Sequence, residues 1–356
     1  MNLKKLFLLF LDKRELKNIE ILSLKNIKSI LIRPLGGAIG DAVVHTAHLK
    51  QLRYLYPNAR IGVIVNPHNR VIFEHSNLVD EYLDRSLCCY ISHYRKWDLL
   101  LDFENNFNSS SLFMDRILNP KYIAIFRKYN KKHYNFDTVK NYDFYFPQKD
   151  NERLSYYLIN SSFNQNNNLP LAYSHLNVSQ ESINKISKYW KEDKIRLLLC
   201  PQGSKRQIPE KELAELLSNT IDKNLANKLD IILSYTNTAE KYHSNLMKLC
   251  PHLNIKLSPK TTLSEYLSLI SSADLVIAVD GGSLHIACAF KKPLLSFFAK
   301  SQPNMGTWEP LVYPDVPHLK VLTYDDVGSN SNLTKNFDMT TAYEWLKKQL
   351  ENRVGN

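Results

Sequence analysis

Residues 273–289 read ADLVIAVDGGSLHIACA, and this stretch decides the fold. An apolar, β-branched run leads into an acid, two glycines and a helical pattern, which is typical of a strand, a turn and a helix in a βαβ unit. Ligands of such units bind at the carboxyl end of the strand, where the helix presents free N–H groups. The candidate binding residues of this turn are Asp280, Gly281, Gly282, Ser283 and His285. The alternative is structural, with Asp280 as a helix cap and His285 as a core histidine.

The same pattern recurs along both halves of the 356-residue chain. The strands predicted in the first half are 29–33, 60–65, 98–103 and 122–126, and those in the second half are 195–200, 230–234, 275–279 and 294–298. Strands that alternate with helices predict an α/β fold, and the length predicts two domains, each of them Rossmann-like. After Pro317 the strand pattern fades, and a last helix is expected at about 340–349.

A polar, Asn-rich stretch at 160–168 separates the two series of strands. We therefore predict a first domain over 1–178 and a second domain over 179–335. The remaining residues, 336–356, contain the last helix, which we expect to pack back on the first domain.

The composition favours a globular protein that binds anions. Hydrophobic residues make up 44% and charged residues 23%, close to the averages for globular domains, and the net charge is +11. Five cysteines without a C-x-x-C pair predict neither a zinc site nor a disulfide framework. The apolar run Leu6–Leu11 lacks a signal cleavage site; with Lys4, Lys5, Lys13 and Arg14 it predicts either a helix on an acidic membrane or one packed on the protein.

A first glycine-rich turn, RPLGGAIGD at 33–41, joins a predicted strand to a helix. Asp41 stands at the start of this helix, where a carboxylate can accept a proton from a hydroxyl group. The alternative is an ordinary N-terminal carboxylate that the helix dipole favours. A dinucleotide site is disfavoured, because the spacing is not G-x-G-x-x-G and the second strand ends in Asn66 rather than an acid.

A third segment, LCPQGSKRQIPE at 199–210, follows the first strand of the second half. Its Ser204, Lys205 and Arg206 form a plausible cradle for a phosphate group, since cations neutralise the charge of a departing diphosphate. A solvated basic loop is the alternative.

These three segments, in this order, resemble the ADP-heptose:lipopolysaccharide heptosyltransferases of glycosyltransferase family 9. The resemblance rests on Gly40-Asp41 before a helix that ends in Pro57, on the turn at 201–209, and on Asp280 to His285 with Ala289. It implies a GT-B fold, in which two Rossmann-like domains face each other across a cleft. The chain departs from the family pattern where Arg206 replaces Lys, Gly281 replaces Thr and Ile208 replaces Trp.

The resemblance also implies a mechanism and a set of site residues. Asp41 would be the catalytic base of an inverting, metal-independent transfer of heptose from ADP-heptose to an inner-core lipopolysaccharide or lipooligosaccharide acceptor. The implied donor-binding residues are Ser204, Lys205, Arg206, Glu240, Asp280, Gly281, Gly282, Ser283 and His285. The candidate acceptor-binding residues are Gly37, Gly40, Arg127, Lys128 and Lys131, the last three of which would otherwise be a solvated basic face.

The expected partners are a nucleotide sugar and a phosphorylated glycolipid, without cofactor, metal or nucleic acid. The expected location is the cytoplasm, with peripheral contact to the inner face of the membrane. A GT-B transferase that uses another nucleotide sugar for a surface glycan is an alternative. A short-chain dehydrogenase or epimerase lacks support, because the Tyr343 to Lys347 pair stands at the C-terminus. A basic nucleic-acid-binding protein is the alternative from another class, although no helix-turn-helix or RNP-like strand is visible.

Overall fold

The computed structural model describes Leu3, Leu6 and residues 10–11, 26–165, 168–301 and 305–354. The chain divides into two compact units, Met1–Ala172 and Tyr173–Asn356, close to the boundary predicted at 178. Each unit has an α/β architecture built around one parallel sheet.

The described residues of the first unit form a six-stranded sheet in the order β3-β2-β1-β4-β5-β6, with every neighbouring pair parallel. Its strands are β1 Ser29–Arg33, β2 Arg60–Val65, β3 Glu81–Asp84, β4 Leu99–Asp102, β5 Tyr122–Ile125 and β6 Phe144–Tyr145. Its helices are α1 Ile39–Leu55, α2 Arg70–Ser76, α3 Leu87–Ser92 and α4 Ser109–Leu118, with short 3-10 turns at Leu154–Tyr156 and Ser162–Asn164.

The second unit repeats this arrangement. Its sheet has the order β12-β11-β10-β7-β8-β9, again parallel throughout. The strands are β7 Ile195–Cys200, β8 Leu229–Leu233, β9 Ile255–Leu257, β10 Leu275–Val279, β11 Leu294–Ser301 and β12 His318–Gly328. The helices are α5 Gln180–Ser187, α6 Glu210–Thr220, α7 Lys223–Ala226, α8 Ala239–Leu249, α9 Leu263–Ser272, α10 Gly282–Ala289 and α11 Thr340–Val354.

The strands predicted from sequence are the buried central ones. Every residue of β4, β5, β8 and β10 is buried, because helices cover both faces of a parallel sheet. The prediction that the strand pattern fades after Pro317 is wrong, since β12 pairs with β11 from His318 onward. Most residues of β12 are half-buried or exposed, so this strand lacks the continuous apolar run of a central strand.

The last helix packs within the second unit, which corrects the expectation that it returns to the first domain. Ala342, Leu346 and Leu350 of α11 are buried in the same hydrophobic cluster as Leu213 and Leu217 of α6. The apolar stripe of α11 is therefore occupied inside its own unit.

A buried ion pair lies at the carboxyl edge of the first sheet. Lys128 Nζ lies 2.6 Å from Asp102 Oδ2 and also donates to the carbonyl of Glu104, and both charged side chains are fully buried. Burial alone would raise the pKa of Asp102, but Lys128 and Arg33 outweigh it and hold this pKa below its ordinary value. Lys128 is therefore not an exposed contact for an acceptor phosphate, which corrects the role predicted for it.

The described residues near the N-terminus differ in exposure. Leu11 is buried with Phe107 and Leu112, whereas Leu3 is 73% and Phe10 67% exposed. Lys4, Lys5, Lys13 and Arg14, the cations of the predicted N-terminal helix, lie outside the described residues. Among the described residues, no helix combines the length and apolar character that crossing a bilayer requires.

The buried pair gives a test of the first unit. We expect Lys128→Met to lower the free energy of unfolding by about 3–5 kcal/mol, because it leaves the Asp102 carboxylate buried without its main partner. Lys131→Met, a matched change at an exposed position of the same segment, should change it by less than about 0.5 kcal/mol. Urea unfolding of both variants measures the difference, and equal stability would contradict the structural role of Lys128.

Candidate active site

The turn after β7 forms one wall of the site in the second unit. Gly203 N donates to Arg206 O at 2.8 Å and Ile208 N donates to Pro201 O at 2.9 Å, so residues 201–208 fold back as a tight hairpin. β7 and β10 are neighbours in a parallel sheet, and their carboxyl ends therefore lie at the same edge. This geometry brings the turn after β7 against the turn after β10.

Two glycines let these turns approach closely. A Cβ atom on Gly203 would lie 3.5 Å from the carbonyl oxygen of Asp280, and one on Gly281 would lie 3.7 Å from the Cα of Gly203. Larger side chains at these positions would extend into the opposite turn. The pair of turns therefore forms one continuous backbone surface at the edge of the sheet.

Arg206 and Asp280 meet across this surface. Arg206 Nη1 lies 3.4 Å from Asp280 Oδ2, while its Nε and Nη2 donate to Ser331 O at 2.8 Å and to Ser331 Oγ at 2.7 Å. Asp280 is only 5% exposed. Burial raises the pKa of this carboxyl group to about 6, against a partial lowering by Arg206. The sequence prediction placed both residues in the site, and the structure brings them together.

His285, in the first turn of α10, lies in the same neighbourhood. This residue is 5% exposed, and its Nδ1 has no hydrogen-bond partner within the part of the chain that the structure describes. Burial, with a smaller contribution from Arg206, lowers the pKa of His285 to about 4, so the ring is neutral at pH 7. A buried ring nitrogen without a hydrogen-bond partner destabilises a protein core. The same nitrogen can form a hydrogen bond with a hydroxyl group of a ligand.

Tyr266 and Gln202, which the sequence did not predict as site residues, also hold the site together. Tyr266 OH lies 2.6 Å from Ser283 Oγ and donates to Cys200 Sγ at 3.4 Å, so the Ser283 hydroxyl already has a protein partner. Gln202 accepts from Thr236 Oγ1 at 2.7 Å and donates to Thr238 Oγ1 at 3.0 Å, which ties the turn after β7 to the loop after β8. A lone tyrosine on α9 and a glutamine in a loop give no sequence signal for these bonds.

The remaining predicted donor residues lie at the same edge, where Ser204, Lys205 and Glu240 are exposed and Gly282 is half-buried. Ser204 and Lys205 lie at the tip of the hairpin, and Glu240 lies in the first turn of α8. Gly282 is the first residue of α10. The second unit therefore brings together at one sheet edge all of the residues predicted to hold the donor.

The first unit holds Asp41 in a second glycine-rich turn, between β1 and α1. Asp41 Oδ2 accepts hydrogen bonds from Gly37 N and Ala38 N, both at 3.0 Å. The carboxylate thus caps the start of the helix, as the structural alternative expected. Burial raises the pKa of Asp41, and the amide bonds from Ala38 and Gly37 offset this in part. A partly desolvated carboxylate with a raised pKa is also what a general base requires.

The turn fits tightly around this carboxylate. Gly36 has φ of +76°, and a Cβ atom there would lie 2.1 Å from Asp41 Oδ2. Asn66 Nδ2 donates to Gly37 O at 3.1 Å and so fixes the turn from the end of β2. The amide of Gly37 is used by Asp41, and Gly40 is buried in the first helical turn. Gly37 and Gly40 could therefore contact the acceptor substrate only through backbone atoms that these interactions leave unused.

The three basic residues predicted to bind the acceptor, Arg127, Lys128 and Lys131, differ in exposure and do not form one basic surface. Arg127 Nη2 lies 2.7 Å from Asp150 Oδ1, and its guanidinium carbon lies 4.8 Å from the centre of the Tyr129 ring. Lys131 is exposed, unlike the buried Lys128. Of the three predicted acceptor cations, Lys131 is the most accessible to a phosphate group.

Comparisons with solved structures identify the architecture. E. coli ADP-heptose lps heptosyltransferase II superposes with a TM-score of 0.69 at 17% identity, over 92% of this chain and 99% of that chain. A glycosyl transferase family 9 protein from Veillonella parvula also gives 0.69, at 12% identity, over 91% and 97% of the two chains. E. coli heptosyltransferase WaaC with ADP-2-deoxy-2-fluoro heptose gives 0.59 at 12% identity, over 91% and 99%. These likenesses confirm the predicted GT-B fold.

The sequence itself matches a family model. No curated protein matches it, but residues 93–313 match the model of glycosyltransferase family 9 (heptosyltransferase). The matched residues make up more than half of the chain. This protein is therefore a glycosyltransferase that belongs to family 9, the heptosyltransferase family.

Proposed function

We propose that this glycosyltransferase transfers heptose from ADP-heptose to a phosphorylated inner-core lipopolysaccharide or lipooligosaccharide acceptor. The observation that carries the proposal is the joined pair of turns in the second unit, with Arg206, Asp280 and the unpartnered Nδ1 of His285. Family membership supports the reaction class. Solved structures of WaaC with ADP and with an ADP-heptose analogue support the donor class.

The donor site has chemistry that suits a nucleoside diphosphate sugar. The N-terminus of α10 and the cations Arg206 and Lys205 can take up the negative charge of the departing diphosphate. Asp280 accepts hydrogen bonds and so can orient sugar hydroxyl groups, while Glu240 is the candidate for the nucleotide ribose. We propose that these groups suffice without a metal ion or cofactor.

The transfer would be a direct displacement with inversion. Asp41 removes the proton from the acceptor hydroxyl, whose oxygen then forms a bond to the anomeric carbon of the sugar. The bond from that carbon to the diphosphate breaks, and the nucleoside diphosphate leaves with the electron pair. Asp41 Oδ2 already holds two amide bonds, and we therefore assign the proton transfer to Oδ1.

The donor is tested by calorimetry and product analysis. We expect ADP-heptose to bind more tightly than UDP-glucose or an oligonucleotide, and mass spectrometry should detect one added heptose on a lipooligosaccharide core. Arg206→Met should raise the Kd for ADP about 10- to 100-fold, because it removes a charge-assisted contact to phosphate. Arg206→Lys keeps the charge and should lose less. Preferential turnover of another nucleotide sugar would overturn the heptose assignment and leave the family intact.

The base is tested by Asp41→Asn. We expect kcat to fall about 100- to 10,000-fold, because the amide cannot take the proton, while the Kd for ADP stays unchanged. In the wild type, kcat/KM should rise with pH through the raised pKa of Asp41, since only the ionised carboxylate is active. Turnover by Asp41→Asn at the wild-type rate would remove Asp41 from this role.

We also propose that the enzyme works in the cytoplasm at the anionic inner face of the membrane. The outer face of α3 and the turn after it expose three large apolar side chains, Leu87 at 49%, Ile91 at 58% and Tyr94 at 49%. Cations exposed beside them are Arg85, Arg95 and Lys96. An apolar surface bordered by cations is complementary to a bilayer of acidic lipids, which would carry the glycolipid acceptor.

Vesicle binding tests this surface. Replacement of Leu87 and Ile91 by Ser should reduce binding to phosphatidylglycerol-containing vesicles about 10-fold or more. The reason is that two apolar side chains are no longer transferred from water into the bilayer. The matched control replaces Leu249 and Leu333, two exposed leucines of the second unit, by Ser. Added salt should weaken binding of the wild type. Equal binding to zwitterionic vesicles, or an equal loss in the control, would contradict the proposal.

A further inference from the structure

Two buried histidines of α1 form a chain of hydrogen bonds that begins at the glycine-rich turn. Leu35 N donates to His45 Nε2 at 2.8 Å, His45 Nδ1 lies 3.1 Å from His48 Nδ1, and His48 Nε2 lies 2.9 Å from Leu154 O. Neither histidine has any exposed surface. The chain therefore joins the turn before α1 to the 3-10 turn at Leu154–Tyr156.

The backbone groups at the two ends fix the position of every proton. The Leu35 amide can only donate, so His45 Nε2 must accept and His45 must carry its proton on Nδ1. His48 Nδ1 then accepts a hydrogen bond from His45 Nδ1–H, and His48 Nε2–H donates to the Leu154 carbonyl. Both rings are neutral in this arrangement. Burial lowers the pKa of His48 to about 4 and that of His45 well below its ordinary value, with a further lowering from His48.

An aromatic ring holds the two imidazoles in place. Phe103, directly after β4, stacks on His48 with a centroid distance of 4.5 Å and meets His45 edge-on at 4.9 Å. Rotation of either imidazole is opposed by this packing as well as by the hydrogen bonds. The acceptor nitrogen that faces Leu35 is thus held rigidly from within the core.

Leu35 lies directly before the residues that bind Asp41. Gly36 follows with φ of +76°, and Gly37 and Ala38 then donate to Asp41 Oδ2. The turn is fixed on one side by Asn66, through Gly37 O, and on the other side by His45, through Leu35 N. If the His45 bond is lost, the Leu35 amide is left buried without its partner, which is unfavourable. A shift of the turn toward water would relieve that cost and would displace Gly37 and Ala38.

We propose that His45, oriented by His48, is a positioning residue that holds the glycine-rich turn so that its amides orient the Asp41 carboxylate for proton transfer. The inference rests on the proposed role of Asp41 as the base. It assigns to the two histidines a part in transfer that neither contacts directly.

The test is a pair of substitutions that each keep one half of the His45 contacts. The amide group of Gln reaches the position of Nε2, so His45→Gln keeps an acceptor for Leu35. The amide group of Asn reaches only the position of Nδ1, so His45→Asn keeps the contact with His48 and loses the one with Leu35. We expect His45→Asn to lower kcat about 10- to 100-fold with an unchanged Kd for ADP, because the base is misplaced, and His45→Gln to stay within a few-fold of wild type.

The pH profile gives a second readout. Burial and hydrogen bonds from backbone amides determine the pKa of Asp41, and among the described residues no charged side chain shifts it. A displaced turn weakens bonds that favour the carboxylate, so the acidic limb of kcat/KM should move to higher pH in His45→Asn and stay in place in His45→Gln. Thr46→Val removes a buried hydroxyl from the same helix, one that bonds Val43 O, and should leave the limb in place. Urea unfolding of each variant confirms that the folded enzyme is assayed.

A double substitution separates this inference from the proposed function. If His45 acts through Asp41, His45→Asn should slow the Asp41→Asn enzyme by less than about two-fold. Equal effects of Asn and Gln at position 45, or a full additional loss in the double variant, would overturn the positioning role. Wild-type turnover by Asp41→Asn alone would instead overturn the role of Asp41 as base. If His45→Asn does not fold, His48→Leu, which leaves the Leu35–His45 contact without its anchor, should show the same shift of the limb.

Discussion

Parallel pairing of strands is the constraint on which the rest of this structure depends. In a parallel sheet all strands end at the same edge, so turns that are far apart in sequence meet there. The turn after β7 and the turn after β10 are more than 70 residues apart in sequence, yet a Cβ atom on Gly281 would lie 3.7 Å from the Cα of Gly203. Both units use the same strand order, and in both the first strand lies near the centre of the sheet. This topology places the glycine-rich turns after β1 and β10 at the carboxyl edges of their sheets.

The sequence pattern predicts the central strands of each sheet and misses the strands at its two sides. Central strands such as β10 are buried along their whole length and read as continuous apolar runs, which a pattern can detect. The edge strands β3 and β6, and most of β12, are short or half-exposed, so their side chains need not be apolar. The last helix was assigned to the wrong unit, because an amphipathic pattern shows that a helix packs without showing against what.

The same limit applies to the sites. The glycine-rich turns, Asp41, Arg206 and Asp280 could be found from local spacing, because each turn is a contiguous segment. Lys128 could not be separated from its basic neighbours, since its partner Asp102 is 26 residues away in sequence. Likewise, His45 and His48 lie on a helix whose pattern predicts a buried face. Only the structure shows that their nitrogen atoms join two backbone groups.

Asp102 and Asp280 are both buried carboxylates with cationic partners, yet they differ in what they contribute to stability. The pKa of Asp102 is lowered in the folded protein, so its ion pair stabilises the fold above the ordinary pKa and this contribution is lost as the pH falls. The pKa of Asp280 is raised to about 6, so the folded state is most favoured with this group protonated, and that contribution is lost as the pH rises through 6. At pH 7 the ionised Asp280 therefore costs folding free energy, and a ligand that donates hydrogen bonds to it would reduce that cost.

Asp41 follows a third pattern, in which neutral amides rather than cations bind the carboxylate. A nearby arginine would stabilise its ionised form and weaken it as a base, whereas burial raises its affinity for a proton and the amides fix its direction.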